Sequence, residues 1–325
     1  MTMDRRTFIS LSVVACAGTR LATPALAQPS GATPLTIVIP FAPGGASDLV
    51  VRTMAEGLAR ELGRPVISDN KGGAGGLIAA AAVGRAKADG NTLLYGNQGQ
   101  MVLARHLFPA NGPEPRSMLE PLTLTARTQF FLVVPADSRV SQALELAEAG
   151  RRGRLQFGIS GIGSPPHLAT VLFGERTGAA IDVIPYQGSA PLLVDLIAGR
   201  LDAAFDNVAS SLPHVRAGKL RALGVSGATP ATVAPGVPTL AQAGIEGYAY
   251  QSWQGLFAPK GTPAGLEDGL IAAVHRTLAD LATRQRLGDA GLEVATNSRA
   301  EFEALIARDA DEWDSRVRKG LIRPA

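Results

Sequence analysis

Three glycine-rich segments stand where backbone N–H groups without acceptors could hold an anion. They are Pro40-Phe41-Ala42-Pro43-Gly44-Gly45-Ala46-Ser47-Asp48, then Gly158-Ile159-Ser160-Gly161-Ile162-Gly163-Ser164-Pro165-Pro166-His167, then Pro185-Tyr186-Gln187-Gly188-Ser189-Ala190. Each follows a strand-like run and precedes a helical pattern. Its N–H groups therefore sit at a helix N-terminus, where donors point outward and the macrodipole favours negative charge. Glycine lets a ligand approach the backbone closely, and Ala46 is small enough to add a donor without blocking the site. Ser164 and His167 can donate from their side chains, so two such loops on opposing lobes could clamp a diacid. Plainer readings stand beside these: the first loop as a tight turn, Ser189 as an ordinary N-cap, and His167 as a group that caps or packs at its helix start. Asp206-Asn207, after another strand-like run, can aim polar side chains into a cleft.

Tests by spacing go against catalysis and cofactors. Gly72-Gly73-Ala74-Gly75-Gly76-Leu77 lacks the Gly-Lys-Ser/Thr ending of a P-loop, and Ile78 stands where a dinucleotide fingerprint needs its last glycine. His106, His167, His214 and His275 show no paired metal-ligand spacing, and Ile162 replaces the second glycine of a nucleophile elbow around Ser160. A Ser164/His167 pair, as in an exported hydrolase, starts three positions apart with no feature that supplies an orienting acid or oxyanion hole. No enzyme, metal or cofactor is expected. Tyr186 and Trp253 fit either a wall over a ligand or core packing.

The loops need elements to position them. Leu35-Thr36-Ile37-Val38-Ile39 is β-branched and too short for a helix, which predicts a buried strand ended by Pro40. Val51, Met54, Ala55, Leu58 and Leu62 then recur at helical spacing, with Ser47 or Asp48 placed to cap the helix and Gly63 to end it. The unit repeats in outline: Val66-Ile67 as strand, a glycine loop from Asn70 to Gly76, a helix from Leu77 to Ala88, and a strand from Thr92 to Gly96. Phe130-Phe131-Leu132-Val133-Val134 is extended and apolar enough to cross between lobes, with the first crossing near Thr125. Strands and helices alternate again up to Val225. A strand near Gly255-Leu256-Phe257-Ala258 and three helical patterns then return to the first lobe. The expected fold is α/β and two-lobed, each lobe a mostly parallel sheet flanked by helices. Its segments are 35–125 (lobe 1), 126–228 (lobe 2) and 229–325 (return to lobe 1).

The N-terminus bounds the compartment. Arg5-Arg6-Thr7-Phe8-Ile9 precedes a short apolar stretch, and Ala25-Leu26-Ala27 supplies small residues for cleavage, so residues 1–27 read as an export signal and 28–34 as a flexible mature terminus. The arginine pair resembles a twin-arginine signal, with general secretion and lipidation at Cys16 as the alternative routes. Losing 1–27 removes three arginines and one aspartate, which takes the net charge from +3 to +1. That near-neutral balance argues against nucleic-acid binding. The single cysteine, Cys16, leaves with the signal, so burial must stabilise the remaining 298 residues, a length that favours two cores.

Taken in order, the motifs resemble the Bug family, the periplasmic solute-binding proteins of tripartite tricarboxylate transporters. The likeness rests on Pro40 to Asp48 with Arg52, Asn70 with Gly73-Ala74-Gly75-Gly76, Ala88-Asp89-Gly90-Asn91-Thr92-Leu93-Leu94, Gly161-x-Gly163-Ser164-x-x-His167-Leu168, Pro185 to Pro191, Asp195-Leu196-x-x-Gly199, and Pro238-Thr239-Leu240-x-x-Ala243-Gly244. It departs at Gly72 and Val51, both off the contacts it implies. The resemblance implies a type II-like Venus flytrap that holds a small carboxylate between lobes, partly through ordered water, and hands it to membrane transporter subunits. By position, Phe41, Gly45, Ala46 and Asp48 would line lobe 1, with Asp48 able to cap instead. Gly163, Ser164, His167, Gly188 and Asp206 would face them. The expected receptor is periplasmic and monomeric; a sensory module feeding a membrane kinase is the alternative.

Overall fold

The β-branched run near the start of the described residues is strand β1 (Leu35–Ile39), buried along most of its length. The computed structural model describes residues 33–110 and 113–322, so the expected signal at 1–27, with Cys16, lies outside the described residues, as does most of 28–34. After β1 come α1 (Ala46–Leu62), β2 (Val66–Asn70), α2 (Leu77–Gly84), β3 (Thr92–Asn97), the short helices α3 (Gln98–Val102), α4 (Ala104–Leu107) and α5 (Pro115–Met118), and β4 (Leu119–Thr128). Helix α1 buries Val50, Val51, Met54 and Leu58 and stops at Gly63, whose left-handed φ of 63° closes the helix as only glycine does without strain.

The second sheet is entered at β5 (Phe130–Pro135) and continues through α6 (Ala143–Arg152), β6 (Arg154–Ile159), α7 (Pro165–Thr177), β7 (Ala180–Pro185), α8 (Ser189–Ile197), β8 (Ala203–Asn207), α9 (Val208–Arg216) and β9 (Leu220–Val225). The chain returns with β10 (Ser252–Pro259), α10 (Ala264–Ala279), α11 (Leu281–Asp289), β11 (Leu292–Val294) and α12 (Arg299–Arg318). The first sheet has the order β11-β4-β10-β3-β1-β2 and the second β7-β6-β8-β5-β9. A two-lobed α/β fold results.

The expected predominance of parallel pairing gives way to mixed sheets. β1 pairs in parallel with β2 and β3, and β6 with β7 and β8; β10 runs antiparallel to β3 and β4, and β5 antiparallel to β8 and β9. The reason is geometric. β10 begins at Ser252 beside the end of β3, and β5 begins at Phe130 beside the end of β8. A strand arriving from the other lobe enters at the edge where the βα strands finish, so it runs against them.

The crossings also shift. Strand β4 stays in the first sheet to Thr128, so the chain changes sheets at Gln129 rather than near Thr125. The return comes after Tyr250 rather than at 229, because the intervening segment binds lobe 2: Leu240 N donates to Val225 O (2.9 Å) and Tyr250 N to Ser226 O (2.7 Å). Tyr248 stacks on Phe205 with ring centroids 5.9 Å apart.

Each lobe has its own apolar cluster, around Ile37, Met54 and Leu256 in the first and Phe131, Leu192 and Leu196 in the second. A third cluster, not expected from chain length, is continuous from Val38 and Leu94 through Phe130 and Trp253 to Phe157 and Phe173. Helix α12 joins it through Phe302 and Trp313, and Arg316 pairs with Glu175 at 2.8 Å. Trp253 is 1% exposed and its indole N–H donates to Asp309 (2.7 Å), which makes it a core residue rather than a ligand wall.

Gly255 lies where β10 meets α12. A β-carbon there would overlap the Phe302 ring and approach Thr123 O to 2.7 Å. Gly255→Ala should therefore cost about 1–3 kcal/mol by overpacking, read as a lower urea midpoint at unchanged denaturant slope.

Candidate functional site

Loops from both sheets face the crossing. β3 ends at Asn97, opposite Gln254 near the start of β10, and β8 ends at Asn207, opposite Phe130 at the start of β5. Strands parallel to these, β1 in the first sheet and β6 and β7 in the second, end on the same edges. The three glycine-rich loops therefore emerge toward the space between the lobes.

In lobe 1, α1 starts from Gly45 as N-cap, not from Ser47 or Asp48. Asp48 is the third helical residue and reaches back: its Oδ2 accepts from Gly44 N (3.0 Å) and from Arg52 Nε (2.9 Å). Burial alone would raise its pKa, but those donors hold the carboxyl below its ordinary range. Asn70 Nδ2 donates to Phe41 O (3.0 Å), so the loop is pinned at both ends. Gly44, expected among the free donors, is thus used up. The N–H groups of Gly45, Ala46 and Ser47 have no acceptor among the described residues. Ser47 Oγ turns away to Gln254 Oε1 (3.1 Å).

Lobe 2 repeats the device. Helix α7 starts from Ser164 as N-cap, and its third residue, His167, accepts the Gly163 N–H on Nδ1 (3.1 Å). The offsets match those of Gly44, Gly45 and Asp48. Here, however, Pro165 and Pro166 occupy the first two helical positions and carry no N–H, so this terminus is poor in backbone donors. Its free donors are side chains. Ser164 Oγ is buried without a partner among the described residues, and with Nδ1 accepting, a neutral His167 carries its proton on Nε2. No hydrogen bond joins Ser164 to His167 among the described residues, and the imidazole Nδ1 is taken by Gly163.

The loop after β7 is tied alongside, with Tyr186 N donating to Ile159 O (2.9 Å). Gly188, at φ 109°, is the N-cap of α8, so Ser189 is the first helical residue rather than the cap. Its hydroxyl donates to Asp206, which also accepts from Ser211 Oγ at 2.7 Å. Asp206 is fully buried; burial raises its pKa, and the two hydroxyls partly offset this. The carboxylate is a structural acceptor under the loop instead of a side chain aimed into the cleft. Tyr186 O–H donates to Asp195 (2.8 Å).

The structure thus places Phe41, Gly45, Ala46 and Asp48 at the β1–α1 junction, Gly163, Ser164 and His167 at the β6–α7 junction and Gly188 at the β7–α8 junction, with Asp206 in β8 beneath Ser189. It adds Ser47, whose N–H joins the free donors, and α3, which touches the Gly163 loop. The pattern Gly96-Asn97-x-Gly99 after a strand-like run was the available signal for α3, where Asn97 Oδ1 caps by accepting Gln100 N (3.0 Å). Among the described residues there is no cluster suited to a metal ion and no helix long and apolar enough to cross a membrane.

Two mixed α/β lobes linked by crossing strands, with helix N-termini facing the gap, define a solute receptor of the periplasmic-binding class. The chain belongs to the tripartite tricarboxylate transporter receptor family, whose model matches residues 50–320. It is similar to Protein BugT of Bordetella pertussis, at 32% identity over 322 residues covering 98% of each chain. Among solved structures, it resembles an R. palustris protein with adipate (TM-score 0.84, 32% identity, 91% of this chain and 100% of that one). It also resembles MatC from Rhodopseudomonas palustris with bound malate (TM-score 0.77, 30% identity, 86% and 97%).

Burial lowers the His167 pKa from 6.5 to about 4. As pH falls the unfolded chain takes up the proton first, so the stability from neutral His167 is complete above pH 6.5 and lost on the way down to about 4. The loss is on the order of 3 kcal/mol. Urea midpoints measured across this range should fall less steeply for His167→Asn, because partly buried His275, whose pKa burial also lowers, then supplies the remaining slope.

Proposed function

We propose that the chain is an extracytoplasmic receptor that captures a small carboxylate between its lobes and delivers it to the membrane subunits of a tripartite tricarboxylate-type transporter. One observation carries this reading: the N–H donors of Gly45, Ala46 and Ser47 stand together at the start of a 17-residue helix, without acceptors among the described residues. The helix dipole favours an anion there, and backbone donors hold it without a cationic side chain. Ser164 Oγ and His167 Nε2 meet the solute from lobe 2. Phe41 packs beside the carboxylate, and Gly188 lets the third loop approach. Asp48 and Asp206 act one step back by fixing loop shape. The adipate and malate held by the two solved relatives support the solute class.

Binding is coupled to closure, because a solute that touches both lobes is held best when they are together, and the closed form is what the membrane partner reads. One chain supplies both halves of the site, so a monomer suffices. Residues 1–27 direct export to the periplasm. The reading needs no cofactor and no catalytic step.

A thermal-shift screen of the chain lacking residues 1–27, refolded to remove carried-over solute, tests this against small carboxylates and their amides. An acid at 100 times its Kd should add about 2.7 kcal/mol, or roughly 5 °C, and its amide nothing; no shift with any acid would sink the receptor reading. Gly45→Leu tests the loop itself. Gly45 has φ −82° and only Ala42 O, at 3.9 Å, near a new β-carbon, so the variant should melt like wild type while losing at least tenfold in acid affinity. Wild-type affinity in that variant would remove the loop from the site.

A further inference from the structure

Apart from the crossing strands, the lobes meet backbone to backbone at two glycines. Gly99, the second residue of α3 in lobe 1, is buried against Gly163 in lobe 2. A β-carbon on Gly99 would overlap the Gly163 carbonyl oxygen, and the next atoms are Gly163 C at 3.3 Å and Ser164 C at 3.6 Å. All three belong to lobe 2. Lobe 1 supplies none of these nearest atoms, and alanine suits a helix better than glycine does.

Both sides of the contact are held. Asn97 caps α3 through Gln100 N, His167 takes the Gly163 N–H, and Ser164 N, in the same peptide plane as the Gly163 carbonyl, donates to Gly161 O (3.1 Å). Gly163 has φ 77°, and a β-carbon there would lie 2.8 Å from Leu107 Cδ1, so this side also requires glycine. A methyl group at Gly99 is therefore excluded by the approach of the other lobe.

We infer that Gly99 is an affinity-determining residue: it sets how far the lobes close over the solute without touching the solute itself. This rests on the receptor reading above. Apparent affinity scales with the fraction of chains able to reach the closed form, so a chain held ajar binds with one lobe's contacts.

The test compares wild type, Gly99→Ala and the control Gly72→Ala, whose new β-carbon meets nothing within 4 Å. Each chain, lacking residues 1–27, is followed by circular dichroism melting, hydrogen exchange over residues 98–103 and 160–164, and small-angle scattering, with and without the acid identified above. Gly99→Ala should melt at or above the wild-type temperature, exchange faster over both segments without acid, stay expanded with acid, and bind at least tenfold more weakly through faster release. Gly72→Ala should behave as wild type. Unchanged exchange and scattering in Gly99→Ala would overturn the inference, as would a failure to fold, because only the other lobe crowds the methyl. If wild type answers to no acid, the receptor reading falls, and the exchange measured without acid still decides whether Gly99 governs closure.

Discussion

The chain passes from one sheet to the other at Gln129 and back after Tyr250, and each time the arriving strand lies beside the end of a βα strand. That arrangement fixes much else. The arriving strand must run antiparallel to its neighbour, which makes both sheets mixed. The βα loops of both sheets must open toward the crossing, which sets helix N-termini on either side of one gap. Apolar side chains of the crossing strands and α12 must also pack on both lobes, which explains a core cluster continuous across them. The closure proposed above has to turn about a few residues, because the packed cluster is not freely deformable.

The proposed recognition of an anion depends on what the protein leaves undone. In each lobe a side chain at the third helical position takes the N–H four residues earlier, Asp48 from Gly44 and His167 from Gly163. This locks the loop while leaving the following donors free. The lobes then diverge. Lobe 1 keeps backbone N–H groups at the first helical turn, whereas Pro165 and Pro166 remove them from lobe 2, where a hydroxyl and an imidazole remain. A charged acceptor is tolerated beside the proposed anion site in lobe 1 because Arg52 offsets Asp48. In the more buried lobe 2 loop a neutral imidazole does the same work without a charge to neutralise.

Much of the fold could be read from the sequence because it is governed by local rules. Periodicity gave β1, α1 and its Gly63 stop, and the order of motifs implied two lobes and the family. The misplacements have one origin. Thr125 and residue 229 were expected as boundaries from composition, but where a strand leaves a sheet depends on partners far away in sequence, such as Ser252 opposite Thr128. Ser189 and Asp206 likewise looked like a cap and a cleft side chain, and their mutual hydrogen bond, between residues 17 apart, reassigned both.

By itself the sequence determined that glycine loops precede helices, that Cys16 is the single cysteine, and that the chain alternates strands and helices. These are properties of neighbouring residues and of composition. Only the tertiary structure decided which N–H groups stay free, since Gly44 and Gly163 lose theirs to side chains positioned by helix geometry and burial. It alone revealed the meeting of Gly99 with Gly163. No local pattern marks that pair, because the constraint on Gly99 is imposed by a carbonyl group 64 residues away, brought close by the docking of one lobe on the other.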